Sequence, residues 1–288
     1  MIGTHNSTTD EIDNLFSFFL KDIVQNQTCD IKTQYEMGVR YFDIKISYEH
    51  KTNMMYTSNI FPCHKFYRII QILNGFEKKC IVDIKRDPKH IDSFKIDIFL
   101  TYLSKFRSTH DILFEDYLFE NIEHVELYPN FKKDFLISKQ IDSENVDYIV
   151  DELKEIIASS DDEWKKINIY AEQQSKSVIM NYSFLYGAVI CGIFTIIFFL
   201  IYKISFRKGI VTPSKKKIFL VLSLLFLFLA IIAIICYFIF SWPKRLSSLT
   251  DQIFDKLVKS NVKFKPSHII VFDFIDDRKI AKLNKYLI

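Results

Sequence analysis

The opening IGTHNS sets His5 beside Asn6 just after a short apolar stretch. Farther on, VRYFDIKI places Asp43 and Lys45 two positions apart. On a strand that spacing sends both side chains to one face, so a carboxylate and an ammonium stand together. An imidazole titrates at about pH 6.5 and can take and release a proton under neutral conditions. A lone histidine near the start of a chain is ordinarily a surface residue. The groups acquire chemistry only if a fold gathers them, as a parallel barrel does when the C-terminal ends of its strands converge on one mouth.

The elements needed for such a fold are present. Strand-like VRYFDIKI, KCIVDIK, DFLISK and INIYAE are interspersed with the helix-like FYRIIQILNGF and SENVDYIVDELKEIIA. Strand followed by helix, repeated, predicts a parallel α/β architecture. Near the C-terminus SSLTDQIFDKLVKS has helical spacing with Ser and Thr near its start, and HIIVFDFI reads as one more buried strand. No internal repeat or low-complexity linker interrupts the pattern. The roughly 180 residues before the first long apolar segment suffice for one domain core.

Two runs stand apart, 184–202 and 218–240, with no ionisable side chain other than tyrosine. At about 1.5 Å per residue they reach roughly 28 and 34 Å, enough for a hydrocarbon core of about 30 Å. The sequence therefore predicts an integral membrane protein with a two-helix hairpin, residues 183–242, set between a first part, 1–182, and a last part, 243–288. The linker carries Lys203, Arg207, Lys208, Lys215, Lys216 and Lys217 with no acid, and Gly209 and Pro213 mark its turn. The positive-inside rule puts it in the cytosol and the polar parts on the opposite side. Sequons at Asn26 and Asn181 fit that orientation. The absence of a signal peptide before residue 1 runs against it.

Composition narrows the function. A formal net charge of +3 is not that of a general nucleic-acid binder. The five cysteines, Cys29, Cys63, Cys80, Cys191 and Cys236, show neither CxxC nor Cys/His ligand spacing, so no disulfide framework or zinc site is expected. Two helices without intramembrane charge offer a channel no polar pathway.

Taken together and in order, GTHNS, GVRYFDIKI, CIVDIKRD and IIVFDFID resemble the catalytic X region of phosphatidylinositol-specific phospholipases C, in the metal-independent bacterial-type branch. The resemblance spans most of residues 2–280 apart from the hairpin. It implies a distorted TIM-like (β/α) barrel, here interrupted by a two-helix transmembrane hairpin. It also implies cleavage of an inositol phospholipid or a glycosylphosphatidylinositol by phosphoryl transfer, with no cofactor or metal. By the same resemblance, His5 removes the inositol 2-hydroxyl proton and Asp273 orients it. Lys45 stands where the family carries a phosphate-binding arginine and calcium-dependent relatives an acidic ligand, and Asp43 matches the acid two positions earlier. Lys85 and Lys139 match basic residues lining the pocket, and Asn6 joins them in binding substrate.

Two departures accompany the match. The histidine that protonates the departing diacylglycerol oxygen is expected near Thr57 or Ser58, whereas the nearest candidate, His64, stands about seven residues later. Only Met1 and Ile2 precede GTHNS, where the family has most of its first strand and an N-terminal segment, so a longer N-terminus is expected upstream. An inositol lipid and the bilayer are the expected partners. The alternative is a catalytically impaired relative acting as a lipid-binding or scaffolding membrane protein. An insertion after a barrel strand emerges at the strand's C-terminal end, so the hairpin is expected to hold the barrel mouth against lipid.

Overall fold

The computed structural model describes residues 1–10, 27–59, 61–106, 109–142, 145–158, 165–170, 175–208, 213–239, 242–260, 262–265, 267–273 and 275–287. The sequon Asn26 lies outside them. The chain divides into two compact units, Met1–Glu172 with Leu246–Ile288, and Gln173–Arg245.

In the first unit ten strands form one sheet: β1 (Ile2–Thr4), β2 (Tyr41–Glu49), β3 (Met54–Asn59), β4 (Phe61–Lys65), β5 (Ile81–Arg86), β6 (Asp111–Phe114), β7 (Phe131–Lys133), β8 (Ile137–Asp142), β9 (Lys165–Tyr170) and β10 (His268–Phe272). Helices α1 (Ile31–Met37), α2 (Phe66–Asn74), α3 (Ile96–Leu103), α4 (Asp116–Glu120), α5 (Val146–Ala158) and α9 (Asp277–Leu287) belong to the same unit. The strand order is β7-β6-β5-β2-β1-β10-β9-β8, and each neighbouring pair along it is parallel. β3 pairs antiparallel with β2, and β4 antiparallel with β3. The sheet curls into a distorted TIM-like barrel with helices outside it.

Period-two alternation divides each strand between two layers. Phe42, Ile44, Ile46, Val82, Ile84, Ile112 and Phe114 pack outward in one cluster with helix residues such as Ile69, Leu73 and Phe99. Tyr41, Ile81, Leu113, Leu136, Ile269 and Val271 form a separate inner cluster. Short elements such as β6 and β7 give no periodic signal of their own; the sheet neighbours define them.

The barrel is distorted at one seam. Its outer strands β7 and β8 are joined by only Asp134, Phe135 and Leu136. Three residues are too few for the crossover that two adjacent parallel strands need, which takes about a dozen. The same extended stretch instead pairs with β6 through its first part and with β9 through its last. Covalent continuity thus links the two edges without a helix.

In the second unit, the hairpin consists of α6 (Ser175–Lys208) and α7 (Pro213–Ile239); α8 (Trp242–Lys259) follows, and from Leu246 on it belongs to the first unit. Segments Ser183–Ile204 and Lys217–Tyr237 are long and apolar enough to cross a membrane, and only 6% and 11% of their residues are buried in the protein. α6 runs past both apolar limits read from the sequence and α7 starts before its first one, because lysine and arginine sustain helical hydrogen bonding outside an apolar stretch. Ser223 donates to the Thr195 carbonyl at 3.2 Å, and Phe226 stacks on Phe194 and Phe198.

Two positions make the barrel testable. Gly3 pairs with Tyr41, and a Cβ on Gly3 would stand 2.7 Å from Tyr41 Cδ1. Gly3→Ala is expected to cost about 1–3 kcal/mol by overpacking, read as a lowered thermal midpoint by near-ultraviolet circular dichroism in detergent. His110, buried between β5 and β6, accepts from the Cys80 amide at Nδ1 (3.2 Å), so its Nε2–H donates to the Leu73 carbonyl (3.1 Å). Burial depresses its basicity despite the Leu73 hydrogen bond. The unfolded chain therefore takes this proton first as pH falls. The stability His110 confers is present above about pH 6.5 and is lost as pH drops through its lowered folded value. Denaturant midpoints should fall over that window in the native chain, and less so in His110→Phe.

Candidate active site

Two strand pairings build the site. Thr4 of β1 lies beside Phe272 of β10 in parallel register. The next residues, His5 and Asp273, therefore leave adjacent strand ends together. His5 Nδ1 and Asp273 Oδ1 stand 3.2 Å apart, although 268 positions separate them. With Nδ1–H donating to that carboxylate, the basic lone pair of His5 sits on Nε2. Asp43 Oδ2 is 3.6 Å from Nε2, an ion-pair distance too long for a good hydrogen bond. The His5 side chain is 12% exposed, while those of Asp43 and Asp273 are 4% and 7% exposed.

The loop that carries His5 is clamped from below. Gln27 donates to the carbonyls of His5 and Phe272 at 3.1 and 3.0 Å, and Gln34 donates to the Ser7 carbonyl at 2.8 Å. The Ser7 amide donates to the Asp43 carbonyl at 2.8 Å. Asn6 adopts a left-handed φ of 45°, which asparagine tolerates better than most residues. Its side chain is buried, with the amide nitrogen 3.4 Å from His5 Nδ1.

The second pairing sets the charge pattern. β2 and β5 lie in parallel register with Asp43 beside Asp83 and Lys45 beside Lys85. The Asp-Ile-Lys triplets of the two strands thus stand side by side, with a carboxylate layer followed by an ammonium layer toward the strand ends. Asp83 is fully buried and its Oδ2 accepts from Lys166 at 2.8 Å and from the Tyr41 hydroxyl. Lys85 lies 2.8 Å from the same oxygen and 3.5 Å from Asp134. Burial opposes ionisation of Asp43, yet the charges of Lys166, then His5, Lys85 and Lys45, hold its carboxyl well below the usual carboxylate range. Burial likewise opposes the charge on Lys85, and Asp83, Asp43 and Asp134 override it, raising that ammonium above the ordinary lysine value. Burial, then Asp83 and Asp43, pushes the Tyr41 phenol up.

The antiparallel β3–β4 hairpin sets His64 opposite Thr57. Thr57 and Ser58 are buried: Ser58 donates to Asp87 at 2.9 Å, and Thr57 faces His64, whose amide donates to the Thr57 hydroxyl at 3.1 Å. Strand pairing returns His64 to a place across from the position where the sequence led one to look. Its Nε2 is 2.9 Å from Asp10 Oδ1.

His5, Asp43, Lys45, Lys85 and Asp273 thus belong to one cluster. Lys139 does not join it. Ser138 turns inward to accept from Asn168 at 2.8 Å, so Lys139, next along β8, takes the other face and is exposed. Sequence reasoning missed Lys166, Asp83 and Asp10. Asp83 carried a usable signal, because CIVDIKRD repeats the Asp-Ile-Lys spacing of β2.

This architecture has counterparts among solved structures. It matches the phosphatidylinositol-specific phospholipase C from Listeria monocytogenes over 99% of this chain and 92% of that one, with a TM-score of 0.51 and 15% sequence identity. The chain has the fold of a phosphatidylinositol-specific phospholipase C. A double mutant of the corresponding S. aureus enzyme matches over 58% of this chain and 70% of its own, with a TM-score of 0.40 and 17% identity. No family model matches the sequence, and neither does any curated protein. Within this fold the buried charges depend on one another, so that removing one partner leaves the other uncompensated. Asp83→Asn leaves Lys166 without its buried counter-charge and is expected to cost about 3–5 kcal/mol. Asp83→Asn/Lys166→Met should recover much of that loss when the two are compared by chemical denaturation.

Proposed function

We propose that this chain is a membrane-anchored phosphodiesterase that cleaves an inositol phospholipid. The reading is carried by the His5–Asp273 pair, a base and its orienting carboxylate held at 3.2 Å across the β1–β10 seam. His5 Nε2 takes the proton of the inositol 2-hydroxyl. The freed oxygen attacks phosphorus, the bond from phosphorus to the diacylglycerol oxygen breaks, and a cyclic phosphodiester forms. Lys45 and Lys85, neighbours in register, offset the charge that develops on the phosphoryl oxygens. His64, held by Asp10, returns a proton to the departing oxygen. A lysine where calcium-dependent relatives carry an acidic ligand supports a reaction without calcium. The two apolar helices provide the anchor, and the chain enters them directly after β9, at a strand end of the kind where such sites form.

Full-length protein presented with phosphatidylinositol vesicles is expected to release diacylglycerol in the presence of chelator. His5→Ala, and separately His64→Ala, should lower the rate by about 10²–10⁴. Asp273→Asn should lower it while the fold, by circular dichroism, stays intact. Vesicle binding by folded wild-type protein with no turnover would sink the catalytic reading and leave a lipid-binding module.

A further inference from the structure

Lys166 lies at the second position of β9, in a KKINIY run that looks like the solvated start of a strand. It is instead 3% exposed. Its ammonium enters the barrel, bonds Asp83 at 2.8 Å and stands 5.1 Å from the centre of the Tyr41 ring. Across the barrel, the β2–β5 register has set Asp43 and Asp83 side by side. Neighbouring strands are about 4.8 Å apart, a spacing at which two buried carboxylates repel strongly. Asp43 Oδ1 and Asp83 Oδ1 are both buried and accept no hydrogen bond among the described residues. Nearby cations therefore decide whether both groups keep their charge.

The groups facing His5 and Asp43 come from every wall: Tyr41 and Lys45 on β2, Asp83 and Lys85 on β5, Asp134 after β7, Lys166 on β9 and Asp273 after β10. Lys85 divides its ammonium between Asp83 and Asp134. Among Lys45, Lys85 and Lys166, Lys166 is the most deeply buried and the one whose charge acts most strongly on Asp43.

We propose that Lys166 is a positioning residue: its ammonium, set into the barrel from β9, is the counter-charge that keeps the paired Asp43 and Asp83 carboxylates ionised beside His5. It touches no reacting atom and acts by fixing the field in which His5 exchanges its proton. This deepens the proposed function, naming a group that tunes the same base, and its test does not require turnover.

The test follows the Asp43 and Asp83 side-chain carboxyl carbons through a pH titration by nuclear magnetic resonance, in wild type, Lys166→Met and Lys166→Arg. Removing the buried positive charge makes the paired carboxylates easier to protonate. The Asp43 and Asp83 steps should both move to higher pH in Lys166→Met, by more than about one unit, as loss of a buried counter-charge produces at an effective dielectric constant of about 20. Lys166→Arg keeps the charge and should leave both near wild type. No movement in Lys166→Met, or equal movement in the two variants, overturns the proposal, since a packing role alone would lower amplitude without moving the midpoint. If Lys166→Met does not fold, Lys166→Gln, which still donates to Asp83, takes its place. In the unmodified protein the Asp43 carboxyl carbon should show no titration step above about pH 3, and a step near the ordinary value of about 3.9 would also overturn it. Absence of turnover with the resonance shift present would remove the catalytic reading and leave this one standing.

Discussion

The in-register pairing of two Asp-Ile-Lys triplets imposes the constraint around which the barrel is arranged. Parallel register puts like beside like, so every gain in alignment between β2 and β5 brings Asp43 closer to Asp83. Water cannot screen them, because both carboxylates are buried. The remedy comes from elsewhere in the barrel: Lys166 from β9, Lys85 folding back from the next layer, and the Tyr41 hydroxyl. A barrel is suited to this, because its interior lets a strand distant in sequence supply charge that neither neighbour can. The cost of desolvating so many charges means that the network specifies the site more than it stabilises the chain.

Closure of the ring then brings the chemistry together. β1 sits between β10 and β2, and its three residues leave no slack. Gly3 must lack a side chain for Tyr41 to reach Asp83, and Thr4 must pair with Phe272 for His5 to meet Asp273. On the far side the ring closes by continuity of the chain through Asp134, and that same residue holds one side of Lys85. The distortion of the barrel and the placement of a site lysine thus share one short segment.

Much of this was legible in the sequence. The alternation of strands with helices, the two apolar helices and the residues His5, Asp43, Lys45, Lys85 and Asp273 follow from local pattern and from a family resemblance that the shared fold supports. What escaped notice depends on non-local contact. Lys166 looks like any charged strand start until β10 and β5 close around it. Lys139 looks like Lys85 until Ser138 fixes the phase of β8. His64, about seven residues late when counted along the chain, lies across a β-hairpin from Thr57, a placement that counting alone does not give.

The position of the hairpin within the chain has a further consequence, one of timing. His5 is synthesised 268 positions ahead of its partner, with both apolar helices in between. On the ribosome, β1 therefore waits with one edge unpaired while α6 and α7 are made. The His5–Asp273 pair can form only once the apolar helices have left the exit tunnel. Chain order thus makes completion of the candidate active site wait on synthesis of the whole hairpin.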